Sequence, residues 1–353
     1  MRLATGLVSI MRETLVQWLR CPECRSTMTL DARLRSDEHV MEGLLACTGC
    51  ERSYPILRGV PRLLPDGVRS GVPALGFDEM QLRTQRSFGY QWTRFGELRD
   101  EFEQQLLWFI SPPITREFFF GKLGIDAGCG FGRHMYWAAK WGAEIVGIDL
   151  SAAVDRAFAN TAHLPNAHVV QGDIYHLPVA RGAFDFAYSL GVLHHLPDTA
   201  LGVANVARCV RPGGSVITWL YAGGQGKWLA RFEPVRRAVS RLPLSVIYWL
   251  SLALACVGYP VVIVPFRWLA RAGVARGLLQ RLPSHFKYYA DYPFRVYHAD
   301  WVDRLSAPVR FYFTPAEARQ LLERQGLEAV EVFPTLATGV TAVGRVSAER
   351  LPQ

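Results

Sequence analysis

Residues 123–149 read LGIDAGCGFGRHMYWAAKWGAEIVGID, and the order of residue types within them decides the fold. A short apolar run, Leu123 to Ile125, ends in an acid, Asp126. Gly128, Gly130 and Gly132 follow at alternate positions, then a helix-compatible segment, a second apolar run (Ile145 to Ile148) and a second acid, Asp149. That order is strand, glycine turn, helix, strand, which is half of a nucleotide-binding βαβ unit. The glycines let the backbone turn tightly and approach a ligand with no Cβ in the way. Asp149, ending the second strand, is placed to accept hydrogen bonds from two ribose hydroxyls.

A dinucleotide dehydrogenase shares this outline, so the glycine turn alone does not choose a chemistry. Here the pattern is D-x-G-x-G-x-G, and in that form it resembles the first motif of class I S-adenosylmethionine-dependent methyltransferases, the type 11 kind. The chain downstream carries three further matches in the expected order. A third strand, Ala167 to Gln171, ends in Gly172-Asp173; FDFAYSLGVLHHL runs from Phe184 to Leu196; and VRPGGSV (Val210 to Val216) leads into a fifth strand ending at Tyr221. The resemblance covers about 122–222 and resumes near Phe311. There Thr314-Pro315-x-Glu317 reads as a capping box with proline at the first helical position. A helix to Gly326 and strands Ala329–Pro334 and Gly339–Val346 complete the pattern.

The fold this implies is α/β: a doubly wound, seven-stranded Rossmann-like methyltransferase sheet with its ligand at the carboxyl edge. The implied cofactor is S-adenosyl-L-methionine. Its expected contacts are Asp126, Gly128, Cys129, Gly130, Gly132, Asp149, Leu150, Asp173, Ile174 and Leu190, with Asp173 on the adenine amino group and a neighbouring amide on the ring. The reaction is an in-line displacement at an activated methyl, so alignment and exclusion of water carry most of it. A nitrogen or oxygen acceptor can also need a base. His194 and His195, after the fourth strand, are the nearest candidates, though one can equally be a packing histidine. Tyr221, Tyr288, Tyr289, Asp291, His298 and Asp300 are weaker candidates by position.

Seven cysteines are present, four of them as C-x2-C-x22-C-x2-C: Cys21, Cys24, Cys47 and Cys50. Each pair can aim two thiolates at one tetrahedral ion, and four sulfurs leave no open position, so the expected zinc is structural. Metal binding then supplies much of the folding free energy of so small a unit. The bland alternative is two incidental vicinal pairs. With the SYPILRGVPRLLPD that follows, residues 14–65 resemble small zinc-ribbon proteins and domains that accompany some methyltransferases. Cys129 is expected beside the cofactor, and Cys209 and Cys256 on core or apolar faces.

At 353 residues, 50% hydrophobic and 20% charged, the chain has length for two or three globular units. The expected division is a zinc ribbon over 14–66, a helical cap over 74–120, and a methyltransferase domain over 121–346 that holds an insertion over 223–310. Glycine and proline recur over 67–73 as a linker. In the cap, Phe88, Tyr90, Trp92 and Phe95 either pack on the main domain or help to cover the cofactor. The opening MRLATGLVSIMRE lacks an h-region, which makes the cytoplasm the expected location.

The formal charge of +8 is unevenly placed. Lys227 to Lys287 holds ten Lys or Arg and one acid, Glu233, yet Leu242 to Phe266 within it has no charged residue. Twenty-five uncharged residues could span a bilayer, but Pro243, Gly258, Pro260 and Pro265 interrupt them and both ends return to one sheet. Three readings stay open: a buried lid over the acceptor, a hydrophobic hairpin on an anionic membrane surface through 242–266, and nucleic-acid contact, for which the basic patch is the only support. The segment from His285 to Leu305 is expected to overhang the acceptor site. The expected partner is an unidentified methyl acceptor, either a small molecule, a glycan intermediate or a lipid-linked metabolite. An RNA methyltransferase is the enzyme alternative, since a zinc ribbon ahead of this fold also resembles a bacterial ribosomal-RNA guanine methyltransferase, although no N-P-P-[YF] loop is present. A cofactor-binding scaffold without turnover is the alternative outside enzymes.

Overall fold

A computed structural model describes residues 11–36, 39–69, 79–223, 227–271, 289, 292–335 and 339–349. The amino-terminal unit holds β1 (Met11–Arg12), β2 (Met28–Ser36), β3 (His39–Cys47), β4 (Ser53–Leu57) and β5 (Val60–Leu63), followed by a short helix α1 (Asp66–Arg69). Two helices, α2 (Glu79–Arg94) and α3 (Glu101–Ile110), lead into the main domain. The chain then alternates β6 (Leu123–Ala127), α4 (Arg133–Lys140), β7 (Glu144–Asp149), α5 (Val154–Thr161), β8 (Ala167–Gly172), β9 (Phe184–Leu190), α6 (Thr199–Cys209) and β10 (Val210–Tyr221). The insertion contributes α7 (Lys227–Val239), α8 (Leu244–Gly258), α9 (Val264–Arg271) and α10 (Phe294–Ser306). The chain closes with α11 (Pro315–Glu323), β11 (Leu327–Thr335) and β12 (Gly339–Val346).

The main sheet runs β8-β7-β6-β9-β10-β12-β11, seven strands with β12 antiparallel to both neighbours and the first five parallel. Strands buried on both faces need near-continuous apolar runs, which is why β7 and β8 lack the alternation of a half-exposed strand. Strand order reverses on either side of β6, so a crevice opens outside the carboxyl ends of β6 and β9. The expected capping box is present: Glu317 N–H donates to the Thr314 hydroxyl, and the Glu317 carboxylate accepts from Thr314 N–H. β10 starts earlier than expected, because Val210 already pairs with Phe184 before the Pro-Gly-Gly turn shifts the register to Ser215–Phe186.

The amino-terminal unit is not a separate bead. β5 pairs in parallel with β8 (Arg62 with Gln171, Leu63 with Gly172), so the small sheet continues the large one to twelve strands. One apolar core runs through both, from Leu19, Leu45 and Tyr54 to Val146, Val170 and Val179. Arg25 fastens the contact, its guanidinium donating to the carbonyls of Leu177 and Val179. The expected linker lies mainly outside the described residues.

The insertion corrects one expectation. The apolar stretch forms no hairpin: α8 passes through a π-helical turn, Tyr259–Ile263, straight into α9. Proline breaks an α-helix by clashing with the carbonyl four residues back and by lacking an N–H. The wider turn, in which Val264 N–H reaches Tyr259 O, accommodates Pro260 without ending the helix.

Gly124 on β6 shows how tightly the central strands are packed. A Cβ there would stand 2.0 Å from the ring of Phe186, which is fully buried. Gly124→Ala should lower stability by roughly 1–3 kcal/mol, the usual cost of overpacking. Thermal and urea denaturation would read this, and an unchanged midpoint would refute the packing argument.

Candidate functional site

The glycine turn follows β6 at the switch point. Gly128 has φ +89° and Gly130 φ +55°, a region open to glycine and strained for other residues. A Cβ on Gly128 would also meet Val192 at 2.5 Å, so the loop after β9 lies directly against the turn. Asp149 holds the turn from the next strand. Its Oδ2 accepts from Gly130 N–H at 2.9 Å, and its Oδ1 accepts from the Ser151 N–H and hydroxyl at 2.8 and 2.6 Å. Gly132 begins α4 in the left-handed conformation.

Asp126 is buried, and its Oδ2 has no hydrogen-bond partner among the described residues. Burial pushes its carboxyl up to about 7, and the nearby Asp149 adds to the shift. Cys129 is buried in the turn, and desolvation raises its thiol well above the usual value. Leu150 presents its carbonyl to the amides of Gln85 and Gln171. Asp173 follows the end of β8 and caps a short 3-10 turn that Ile174 opens, so its carboxylate has local partners: Oδ1 accepts from Tyr175 N–H, and Oδ2 lies 2.9 Å from His176 Nδ1. Leu190 is buried at the end of β9.

Beyond β9, His194 and His195 are buried, with ring centroids 4.3 Å apart. Burial holds His194 well below the usual imidazole range and His195 down to about 4. Both are therefore neutral at physiological pH. His195 Nδ1 lies 2.7 Å from the Val309 carbonyl. A carbonyl only accepts, so Nδ1 carries the proton and Nε2 keeps the lone pair. Neither nitrogen of His194 has a hydrogen-bond partner among the described residues. A buried polar group left so costs about 1–3 kcal/mol, which a ligand or water in the crevice would relieve.

The insertion returns to the crevice through a network that sequence reading missed. Tyr221 donates to Asp303 at 3.0 Å, and Arg310 donates to the Asp303 carbonyl at 3.0 Å. Tyr289 donates to Asp300 and accepts from Arg304. Phe311 N–H reaches the His194 carbonyl at 2.9 Å, so residues 309–313 lie against the histidine loop. Of the weaker candidates, Tyr221, Tyr289 and Asp300 join this network, whereas His298 faces Tyr248 on α8. Tyr288 and Asp291 lie outside the described residues. No local pattern marks Asp303, Arg304 or Arg310, because their partners lie on other elements.

The aromatic helix α2 divides its work. Phe88 packs on His195 at 5.0 Å and Trp92 stands over Gly130, where an added Cβ would lie 3.5 Å from its ring. Tyr90 and Phe95 pack on Tyr248 of the insertion instead. Tyr90 and Phe95 thus follow the packing reading, while Phe88 and Trp92 lie beside the histidine loop and the glycine turn.

The four paired cysteines converge in the amino-terminal unit. Their sulfurs all lie within 4.8 Å of one another, with Cys21 and Cys50 at 3.8 Å and Cys24 and Cys47 at 3.3 Å. A zinc–sulfur distance of ~2.3 Å implies a tetrahedral sulfur–sulfur edge of ~3.8 Å, so the cluster has the right size. Gly49 N–H points at Cys47 Sγ at 3.4 Å, and Arg25 turns the first knuckle at φ +68°. Hydrogen bonds from Ser26 hold the Cys24 thiol down to about 6, while desolvation pushes Cys47 up to about 12. The donor set fits a structural zinc. Of the other cysteines, Cys209 is buried and Cys256 is exposed on α8.

The central part of the chain is similar to known proteins. Residues 125–218 match the family described as a methyltransferase domain. The ubiquinone biosynthesis O-methyltransferase of Sodalis glossinidius is 33% identical over 127 residues, covering 33% of this chain and 51% of that protein. The chloroplastic tocopherol O-methyltransferase of Arabidopsis thaliana is 38% identical over 109 residues, covering 28% and 31%. Among solved structures, the magnesium protoporphyrin IX methyltransferase of Synechocystis PCC 6803 aligns with a TM-score of 0.43 at 14% identity, covering 76% of this chain and all of that one. The chain spans about half or less of the length of these two sequence relatives. Over residues 125–218 it resembles a methyltransferase domain.

Metal analysis of freshly reduced protein should return about one zinc per chain, since four thiolates complete one site. Chelation should lower the melting temperature of the whole protein, because both units share one core. Absence of metal, or a melt indifferent to chelation, would refute the zinc assignment.

Proposed function

We propose that this methyltransferase-domain protein transfers a methyl group from S-adenosylmethionine to a hydroxyl of a small or lipid-linked metabolite. The observation that supports the reading is that the loop after β9 abuts the Gly128–Gly130 turn through Val192 and carries the neutral pair His194–His195, while Asp149 holds the turn from the neighbouring strand. The residues present suit the cofactor. Glycines at positive φ allow close backbone approach, Asp149 offers carboxylate oxygens to ribose hydroxyls, and Asp126 Oδ2, without a hydrogen-bond partner among the described residues, suits a cationic ligand. When bound, the cofactor supplies a methyl group already activated by its sulfonium.

The chain's own contribution is position, dryness and a proton acceptor. Trp92 and Phe88 cover the crevice from α2, and residues 309–313 close it from the insertion. His195, its tautomer set by Val309, presents Nε2 to take the proton as an acceptor oxygen forms its new bond to carbon. Tyr221, Asp303 and Arg310 brace the wall beside it. The sequence relatives support an oxygen acceptor and an apolar one: their names concern O-methylation in ubiquinone biosynthesis and of tocopherol, a lipid.

The test incubates the protein with methyl-labelled S-adenosylmethionine and a cell extract, then partitions the products. Label should enter the organic phase or small aqueous molecules, and His195→Ala should slow transfer on the order of 100-fold or more. Label in RNA would overturn the acceptor class, and label nowhere would favour a scaffold. Because burial lowers the His195 pKa, the base is lost only on protonation at about 4. His195 should therefore add no inflection between pH 6 and 8, where Asp126, pushed up to about 7, is the group of the site that titrates; an inflection near 6.5 that persists in Asp126→Asn would remove His195 from the role.

A further inference from the structure

The α8–α9 rod presents an apolar surface that the site leaves unexplained. Leu244–Leu269 is long and apolar enough, by length and composition, to cross a membrane, yet only 22% of its most apolar window is buried in the fold. The buried stripe is narrow: Ile247, Ser251 and Ala255, then Ile263 and Phe266. It rests on α10, where Gly258 leaves room for the Tyr297 hydroxyl and His298 Nε2 lies 3.3 Å from the Tyr248 carbonyl. Arg267 ties the far end down by donating to the Tyr292 carbonyl at 2.8 Å. The opposite face is open to solvent, with Trp249 at 65% exposure, Val257 at 67%, Val261 at 68% and Trp268 at 75%.

We infer that this face docks in the plane of an anionic lipid bilayer, with the rod half-sunk and its inner stripe still on α10. Charge selects the occupant. Between Lys227 and Lys287 stand ten basic residues and one acid, and Arg237 and Arg241 lie exposed just before α8. An anionic lipid surface attracts such flanks. A second copy would not, because a two-fold contact places the same patch against itself and brings the basic flanks together. A span is excluded by the attachments: crossing would pull Tyr248 off His298 of α10 and Arg267 off Tyr292. Tryptophans on the open face at both halves of the rod suit the headgroup layer. Only α10 separates the rod from the Asp300–Asp303–Arg304 wall of the crevice. The docking claim itself does not depend on methyl transfer.

The test is flotation of the full-length protein with vesicles of phosphatidylcholine alone or mixed with phosphatidylglycerol. The mixed vesicles should carry the protein upward, with binding weakened by salt. The double variant Val257→Asp, Val261→Asp alters only exposed positions, so its melting temperature and zinc content should hold while vesicle binding falls at least tenfold. Arg237→Gln with Arg241→Gln should weaken binding several-fold on the mixed vesicles and little on phosphatidylcholine. No flotation on either composition, or flotation undiminished by the double Asp variant, would overturn the inference. So would light scattering that shows a lipid-free dimer split by that variant.

Discussion

The hydrogen bond from Gly130 N–H to the Asp149 carboxylate joins the two halves of the central motif. A strand that must turn at once into a helix, close to a ligand, needs a backbone with no Cβ, and glycine costs conformational entropy to hold. The carboxylate offsets part of that cost by fixing the turn from the neighbouring strand. Everything else in the crevice is arranged around this point: Val192 abuts Gly128, Trp92 lies over Gly130, and the histidine loop follows from the same strand end. Substituting the acid would loosen the turn as well as remove an acceptor from the ligand.

Two supports hold the crevice from opposite sides. On one, the amino-terminal unit adds β5 to the edge of β8 and locks Arg25 onto the segment that follows Asp173. The unit that holds the cysteine cluster therefore braces the loop expected to read the adenine. On the other, α10 and residues 309–313 bring Asp303, Arg304 and Arg310 against Tyr221 and the histidines. A seven-stranded sheet is thus braced beside the glycine turn and the histidine loop by two additions that are separate in sequence.

The parts legible in sequence were those whose physics is local. Glycines forced to positive φ, four cysteines at knuckle spacing and a Thr-Pro-x-Glu cap each announce themselves within a few residues. The seven-stranded sheet was implied by the resemblance that the glycine motif and the matches after it carry. The pairing of β5 with β8 was hidden because backbone hydrogen bonds carry no side-chain signature. The Tyr221–Asp303 contact bridges 82 residues, so no spacing could reveal it. The insertion misled for a definite reason: Pro260 reads as a break under the α-helical rule, and the π turn that absorbs it depends on packing against α10.

The central claim is that the glycine turn and Asp149 form an S-adenosylmethionine site. Titration calorimetry of the purified protein with the cofactor tests it most directly, with Asp149→Ala alongside. The account predicts saturable binding at one site per chain and none detectable in the variant. No heat with the wild type, or binding that survives the substitution, would contradict it.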